Sequence, residues 1–260
     1  FSVLVGNKKY NEKKYILNVV SKYKTNHKEV VIDEKISKKI IKEAITSLDE
    51  PYGDPSIVPT YYLSKLISKS YKVAISGDGG DELLGGYYRL KNHLKKKNFL
   101  SSALSRLYPI YPSFLGTGSN LKSLQNDAFE SYLSFLEDEK LIKLLGIGSL
   151  SNDLRIKTST SDSIYKKLLS LEYKYYLSDQ MMFKVDRASM SNSIEVRSPL
   201  VDHKLIEYIF SHSYQYFNLK NQKQPLQKYL SNDFTHEFLN RPKQGFVFDY
   251  RRWVFSNFNS

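Results

Sequence analysis

Cysteine is absent from the 260 residues, which excludes disulfides, thiolate metal ligands and a cysteine nucleophile within this segment. Long apolar runs are absent too: nothing approaches the ~20 consecutive apolar residues that span a bilayer, and no signal-peptide pattern opens the chain. The histidines, His27, His93, His203, His212 and His236, lie far apart and fit no metal-ligand spacing. Repeats, low-complexity tracts and obvious linkers are missing as well. The chain opens on Phe1 rather than methionine and reads as a soluble fragment of something longer.

Apolar residues make up 41% of the chain, enough for a real core at this length. The net charge is +12, mostly from lysine. Such an excess suits a polyanionic partner, nucleic acid or a nucleotide. No groove-reading motif accompanies it, and lysine, asparagine, tyrosine and isoleucine are frequent throughout. The excess therefore reads as a compositional bias, with the densest run, Lys95-Lys96-Lys97, on a solvated face.

The first third alternates two periods. Ser2 to Val5, Val30 to Ile32 and Val73 to Ile75 are short apolar runs suited to strands. Between them, Tyr15, Ile16, Val19, Val20 and Tyr23 mark one face of a helix. Ile36, Ile40, Ile41, Ala44, Ile45 and Leu48 mark a second, with Asp33 as a candidate cap. Pro59 suits the first turn of a third, which carries Leu63, Leu66 and Ile67. This alternation predicts an α/β fold with a mainly parallel sheet, whose ligands bind beyond the carboxyl ends of the strands. Residues 91–160, broken by Pro109, Pro112, Gly116 and Gly118, read as loops and short helices. Helical spacing returns at Ile164, Leu168, Leu171 and Tyr175, and again at Leu205, Ile206, Ile209 and Phe210.

Ser76 stands at such a strand end. It opens the loop Ser76-Gly77-Asp78-Gly79-Gly80-Asp81-Glu82-Leu83-Leu84-Gly85-Gly86-Tyr87. Glycines permit positive φ and let backbone N–H groups approach a ligand. Three acids in the same loop would repel a bare phosphate. The conflict disappears if Mg²⁺ sits between carboxylate and phosphate oxygens, so the loop suggests a magnesium–nucleotide site. It is neither a Walker A loop, lacking Gly-Lys-Ser/Thr, nor an EF-hand. A plain acidic turn has the same composition.

Two later segments carry interdigitated charge. Asp179 to Met190, continuing through Glu195-Val196-Arg197-Ser198-Pro199-Leu200-Val201-Asp202-His203, predicts a packed helix and a following loop. Its Asp186, Arg187, Glu195, Arg197 and Asp202 are expected to satisfy one another. In Arg241-Pro242-Lys243-Gln244-Gly245-Phe246, a lysine held between proline and glycine can serve as a point charge for phosphate, although most lysines are solvated surface residues.

Together these segments resemble the synthetase domain of the glutamine-dependent asparagine synthetase family. Ser76 to Tyr87 is similar to its Ser-Gly-(Asp/Glu)-Gly-(Gly/Ser)-Asp-Glu loop with Gly-Gly-Tyr. Lys184 to Met190 is similar to its Lys-Val-Asp-Arg-Ala-Ser-Met helix, and Glu195 to His203 to its Glu-x-Arg-x-Pro-Phe-Leu-Asp-His. Asp49 to Ser56 with Pro59-Thr60-Tyr61 resembles its Asp-Glu-Pro and Pro-Thr segment, and Arg241 to Phe246 its Arg-x-Lys-x-Gly-Phe. The resemblance keeps the family's order across nearly the whole chain. It implies one ATP-dependent synthetase domain over residues 1–260, of the adenine nucleotide alpha-hydrolase-like (PP-loop) type, with a mainly helical C-terminal extension. It implies ATP and Mg²⁺ as cofactors, and aspartate or another carboxylate and ammonia from glutamine as substrates. A glutaminase domain is expected in the same full-length chain. ATP use and the lack of targeting signals point to the cytoplasm; neither membrane nor nucleic acid is expected as a partner, and a homodimer is entertained as the assembly.

Carried over by position, Val3 matches the main-chain contact to adenine, and Ser76 and Gly77 match nucleotide contacts. Asp78 stands near the activated substrate, Asp81 matches the magnesium acid, and Lys243 matches the lysine that stabilises phosphate charge. The family's upstream Ser-Gly-Gly-x-Asp-Ser loop and glutaminase domain are not in this sequence, so the chain reads as N-terminally truncated, with little or no synthetase activity expected of it alone. Amidation of another carboxylate, such as a polysaccharide uronic acid, β-lactam or lasso-peptide ring closure, and a non-catalytic binding relative are the alternative readings.

Overall fold

The apolar triplets of the first third become strands. The computed structural model describes residues 1–5, 12–32, 36, 38–94, 103–112, 118, 121, 124, 127–136, 146, 163–212, 223–241, 245 and 250–258. Strand β1 (Ser2–Val5) pairs in parallel with β2 (Glu29–Ile32), Ser2 opposite Glu29 through Val5 opposite Ile32. Helix α1 (Lys13–Tyr23) lies between them in sequence, as a parallel pair needs a crossover rather than a hairpin. Helices α2 (Lys38–Thr46) and α3 (Ile57–Ile67) follow, then β3 (Val73–Ile75), α4 (Gly80–Leu83), α5 (Tyr88–Leu94), α6 (Ala128–Leu136) and α7 (Ile164–Leu171).

A π-helix, Glu172–Met182, runs on from α7 into α8 (Phe183–Met190). Strand β4 (Glu195–Arg197) comes next, and α9 (His203–Ser211), α10 (Gln224–Tyr229), α11 (His236–Leu239) and α12 (Tyr250–Phe258) make the rest mainly helical.

β4 is the unanticipated strand: the stretch read as loop pairs in parallel with β3, Val73 opposite Glu195 through Ile75 opposite Arg197. The expected parallel sheet is thus present, among the described residues, as two separate two-stranded parallel sheets. The helical spacing read at 15–23, 36–48, 59–67, 164–175 and 205–210 meets observed helices at 13–23, 38–46, 57–67, 164–171 and 203–211, with Tyr175 falling in the π-helix rather than in α7. Asp33, Lys95-Lys96-Lys97 and most of 95–162 lie outside the described residues.

The chain forms two compact units. One comprises Phe1–Asp78, Ser178–Leu200 and Leu230–Ser260; the other comprises Gly79–Leu177 and Val201–Tyr229. The first has a core of Ile32, Ile41, Ala44, Ile57, Val58, Tyr61, Ala188 and Trp253. Trp253 is buried, and its indole Nε1 donates to Ile36 O at 3.1 Å, so its one polar atom is satisfied as its rings pack. α1 lies against α11 and the turn before it: Tyr15 meets Phe238 edge-on at 5.8 Å, and Lys22 pairs with Asp233 at 2.8 Å. The second unit has its own core of Leu90, Tyr132, Leu133, Leu168, Leu169 and Leu171, drawn from α5, α6 and α7. Among the described residues no helix is long and apolar enough to cross a membrane.

Candidate functional site

Parallel strands bring their carboxyl ends to the same side. Ser76 follows β3 directly and Ser198 follows β4 directly. The Ser76 amide donates to Arg197 O at 2.9 Å, carrying the ladder one residue further. The two serine hydroxyls then lie 2.8 Å apart, and Ser76 Oγ donates to Asp78 Oδ2 at 2.7 Å. Three polar side chains are therefore coupled at the strand ends, where open α/β sheets bind ligands.

Ser76 and Asp78 line a cavity of about 530 Å³, within the usual size range of small-molecule sites. Its apolar walls include Leu63, Ile67, Tyr71 and Ile194, and Lys184 brings positive charge to it. Lys184 is buried, and its ammonium donates to Ser56 Oγ at 2.8 Å and to Asp54 Oδ2 at 3.2 Å. Asp54 in turn accepts from the Ser56 amide at 2.9 Å and the Ser56 hydroxyl at 2.7 Å. The Asp49 to Ser56 segment and the Lys184 helix, both singled out in the sequence, thus meet around one buried charge.

Burial pushes the Asp54 carboxyl upward, but Lys184 and the Ser56 hydrogen bonds outweigh it and hold it below the usual carboxylate value. Its folded value lies below its unfolded value of about 4, so the unfolded chain binds the proton more readily. The resulting stabilisation is complete above about pH 4 and is lost as pH falls through the lowered folded value. Asp54→Asn is expected to flatten the acid side of the stability profile; urea midpoints between neutral pH and about pH 3 check it, and an unchanged acid slope would contradict it.

The other sequence-predicted residues fall as follows. Val3 lies on β1 opposite Val30 and packs against the first unit's core; it is not among the residues lining the cavity. Gly77 is exposed, and a Cβ there would meet nothing within 4 Å. Among the loop glycines, positive φ is adopted by Gly79 (89°) and Gly85 (65°). Asp81 belongs to the second unit, in the first turn of α4, where Lys223 Nζ lies 2.7 Å from its Oδ1. Lys243 lies outside the described residues.

Glu82 shares the acidic loop with Asp78 and Asp81, yet it is 2% exposed and accepts a hydrogen bond from the Tyr87 hydroxyl. Burial pushes its carboxyl above the usual value. It is a buried anchor of the loop. The later charges also divide: Glu195 pairs with Arg197, both exposed, while Arg187 pairs with Asp49 at 2.6 Å. Asp202 caps α9 by accepting from the Lys204 amide at 2.9 Å.

Sequence reasoning missed Ser198, the cavity position of Lys184, and Lys223. Ser198 had a usable signal, since it follows β4 as Ser76 follows β3, but that required recognising a three-residue strand bearing two charges. Among the described residues no group of three or more His, Asp or Glu side chains could hold a metal alone. Asp81 fits Mg²⁺ only as one ligand beside phosphate oxygens and water, the mode that Mg²⁺ prefers.

The family model described as Asparagine synthase matches residues 1–259. The chain is 27% identical over 236 residues to asparagine synthetase (glutamine-hydrolyzing) 1 of Bacillus subtilis strain 168, covering 84% of this chain and 37% of that protein. It is 32% identical over 209 residues to a provisionally named asparagine synthetase (glutamine-hydrolyzing) 2 of Methanocaldococcus jannaschii, covering 70% of this chain and 38% of that protein. A third relative, asparagine synthetase (glutamine-hydrolyzing) 3 of Bacillus subtilis, is 25% identical over 199 residues, or 76% of this chain and 30% of that protein. The chain thus spans well under half the length of these relatives. With the family model matching from the first strand to the last helix, the chain belongs to the asparagine synthase family.

Proposed function

We propose that this chain is the synthetase part of an ATP-dependent amide-forming ligase, of the PP-loop type, acting in the cytoplasm on aspartate with ammonia released from glutamine elsewhere in the full-length protein. In this reading a carboxylate oxygen attacks the α-phosphorus of ATP, the bond to the β-phosphate bridging oxygen breaks, and an acyl-adenylate and pyrophosphate result. Ammonia then attacks the acyl carbon, AMP departs with the bonding electron pair, the nitrogen gives up one proton to solvent, and an amide remains.

The observation that supports this reading most is the Ser76–Asp78–Ser198 hydrogen-bonded cluster at the ends of β3 and β4, with Ser76 and Asp78 lining the cavity. Ser76 and Gly77 are assigned to nucleotide contacts and Val3 to adenine. Asp78, held by the Ser76 hydroxyl, is assigned to the activated carboxylate. Lys243 is assigned to the charge that develops on the phosphates. Asp81 would hold Mg²⁺, whose chemistry when bound is to neutralise phosphate oxygens.

The test is AMP release from ATP by the full-length protein across a panel of carboxylates, with and without glutamine. Aspartate-dependent release coupled to asparagine formation is expected; release driven only by a uronic acid or a peptide carboxylate would overturn the aspartate assignment. The 260-residue chain by itself is expected to release little or no pyrophosphate, and turnover at an ordinary enzymatic rate of about 1 s⁻¹ or more would contradict that.

A further inference from the structure

We propose that Lys223 is a built-in counter-cation for Asp81, engaging its carboxylate until a divalent metal displaces the ammonium. This rests on the reading of Asp81 as a metal-binding acid.

Three features seat the pair. Lys223 Nζ lies 2.7 Å from Asp81 Oδ1, with the aspartate side chain 15% exposed and the lysine side chain 34%. The Lys223 amide donates to Leu84 O at 3.1 Å, which ties residue 223 to the loop after α4, and Lys223 holds a left-handed φ of 56°, uncommon outside glycine. Gly86 leaves the space: a Cβ there would lie 1.8 Å from Asp81 Oδ1 and 2.5 Å from Lys223 Cε. The Gly86 amide also donates to Asp81 O at 2.8 Å, so the acid's backbone is fixed by the same glycine that admits its side chain.

A largely desolvated carboxylate without a counter-charge is costly, and the ammonium offsets that cost. Lysine suits a replaceable role. It is a compact charge on a flexible stem, whereas a guanidinium would bind bidentately and hold on. A divalent cation and an ammonium cannot occupy the same carboxylate oxygen at contact distance, because the two positive charges repel. The metal therefore sees only the fraction of molecules in which Lys223 has swung away, and its apparent affinity is lowered by that fraction.

The test uses Mn²⁺ with pyrophosphate, which supplies the phosphate oxygens that Asp81 needs beside it, as the probe on the whole 260-residue chain. Lys223→Gln is expected to bind the Mn²⁺–pyrophosphate complex about tenfold more tightly than the parent, read by the electron paramagnetic resonance signal of the Mn²⁺ complex left in solution. Asp81→Asn is expected to abolish that binding in either background. In the parent chain, acetylation of Lys223 followed by mass spectrometry is expected to run several-fold faster with Mn²⁺ than without, while Lys14 is labelled at the same rate in both. Unchanged Lys223 labelling overturns the proposal without relying on any variant's fold. Unchanged or weaker Mn²⁺ binding by Lys223→Gln, with Asp81→Asn still abolishing it, overturns the proposal and leaves the metal role of Asp81 standing. Mn²⁺ binding that survives Asp81→Asn overturns the metal role itself.

Discussion

Replacing Asp81 with asparagine in the full-length protein is expected to lower ATP-dependent AMP release by about 10²- to 10³-fold, the range seen when one electrostatic group acting on developing charge is removed. Asparagine has nearly the shape of aspartate, so the space left by Gly86 still accommodates it. The ion pair with Lys223 is lost, but asparagine carries no charge to leave buried, and the lysine side chain, 34% exposed on a flexible stem, can turn its ammonium to water, so the fold is expected to survive. What disappears is the negative charge that a metal needs. The variant should accordingly need more Mg²⁺ for its residual activity. Circular dichroism matching the parent, with AMP release measured over a magnesium series, checks both parts. Unchanged release would sink the assignment of Asp81 to the metal.

Glu172→Ala is expected to destabilise the second unit by about 3–5 kcal/mol, the usual cost of stripping one partner from a buried ion pair. Glu172 is fully buried at the head of the π-helix and accepts two bonds from Arg89, from Nε at 2.7 Å and from Nη2 at 2.5 Å. The guanidinium also lies in the corner of two rings set edge to face, 3.9 Å from the Tyr87 centroid and 3.8 Å from that of Tyr176. Alanine would leave a planar cation desolvated among aromatics, where it can neither lose its proton nor readily reach water. The double variant Arg89→Leu, Glu172→Leu should lose less, because no orphan charge remains. Urea denaturation of the three proteins gives the comparison. A loss below about 1 kcal/mol in Glu172→Ala would show that Arg89 finds another acceptor or water. The effect reaches the candidate loop, since Tyr87 both stacks on Arg89 and donates to Glu82.

The sequence made some of these features legible and hid others for physical reasons. β1, β2 and β3 each announce themselves by consecutive β-branched or aliphatic residues, and α3 by Pro59 in its first turn. β4 does not, because only Val196 of its three residues is even partly buried, and Glu195 and Arg197 mimic a solvated loop. Ser76 and Asp78 could be found as a strand end entering a glycine-rich acidic loop. Glu82 could not be told from its neighbours: one residue along a helical turn is a 100° rotation, enough to send Glu82 into the core while Asp81 meets Lys223. Lys184 reads as a helix lysine, and its burial depends on Asp54 and Ser56, about 130 positions away. The division into two units left no mark on composition, because each unit is assembled from separated segments.

That interleaving dictates an order of events during synthesis. All of Gly79–Leu177 and Val201–Tyr229 has been made before Leu230 is added, whereas the unit that begins at Phe1 needs Leu230–Ser260 for Trp253 to enter its core and for Glu237 to reach Lys14. The unit that starts first is therefore the last to be complete. At ordinary translation rates the wait between its first segment and its last is roughly ten to thirty seconds. Throughout that interval the core that Ile32, Ile41 and Ala44 share with Ile57, Val58 and Tyr61 lacks Trp253, so the first segment stays incompletely packed until the chain is nearly finished.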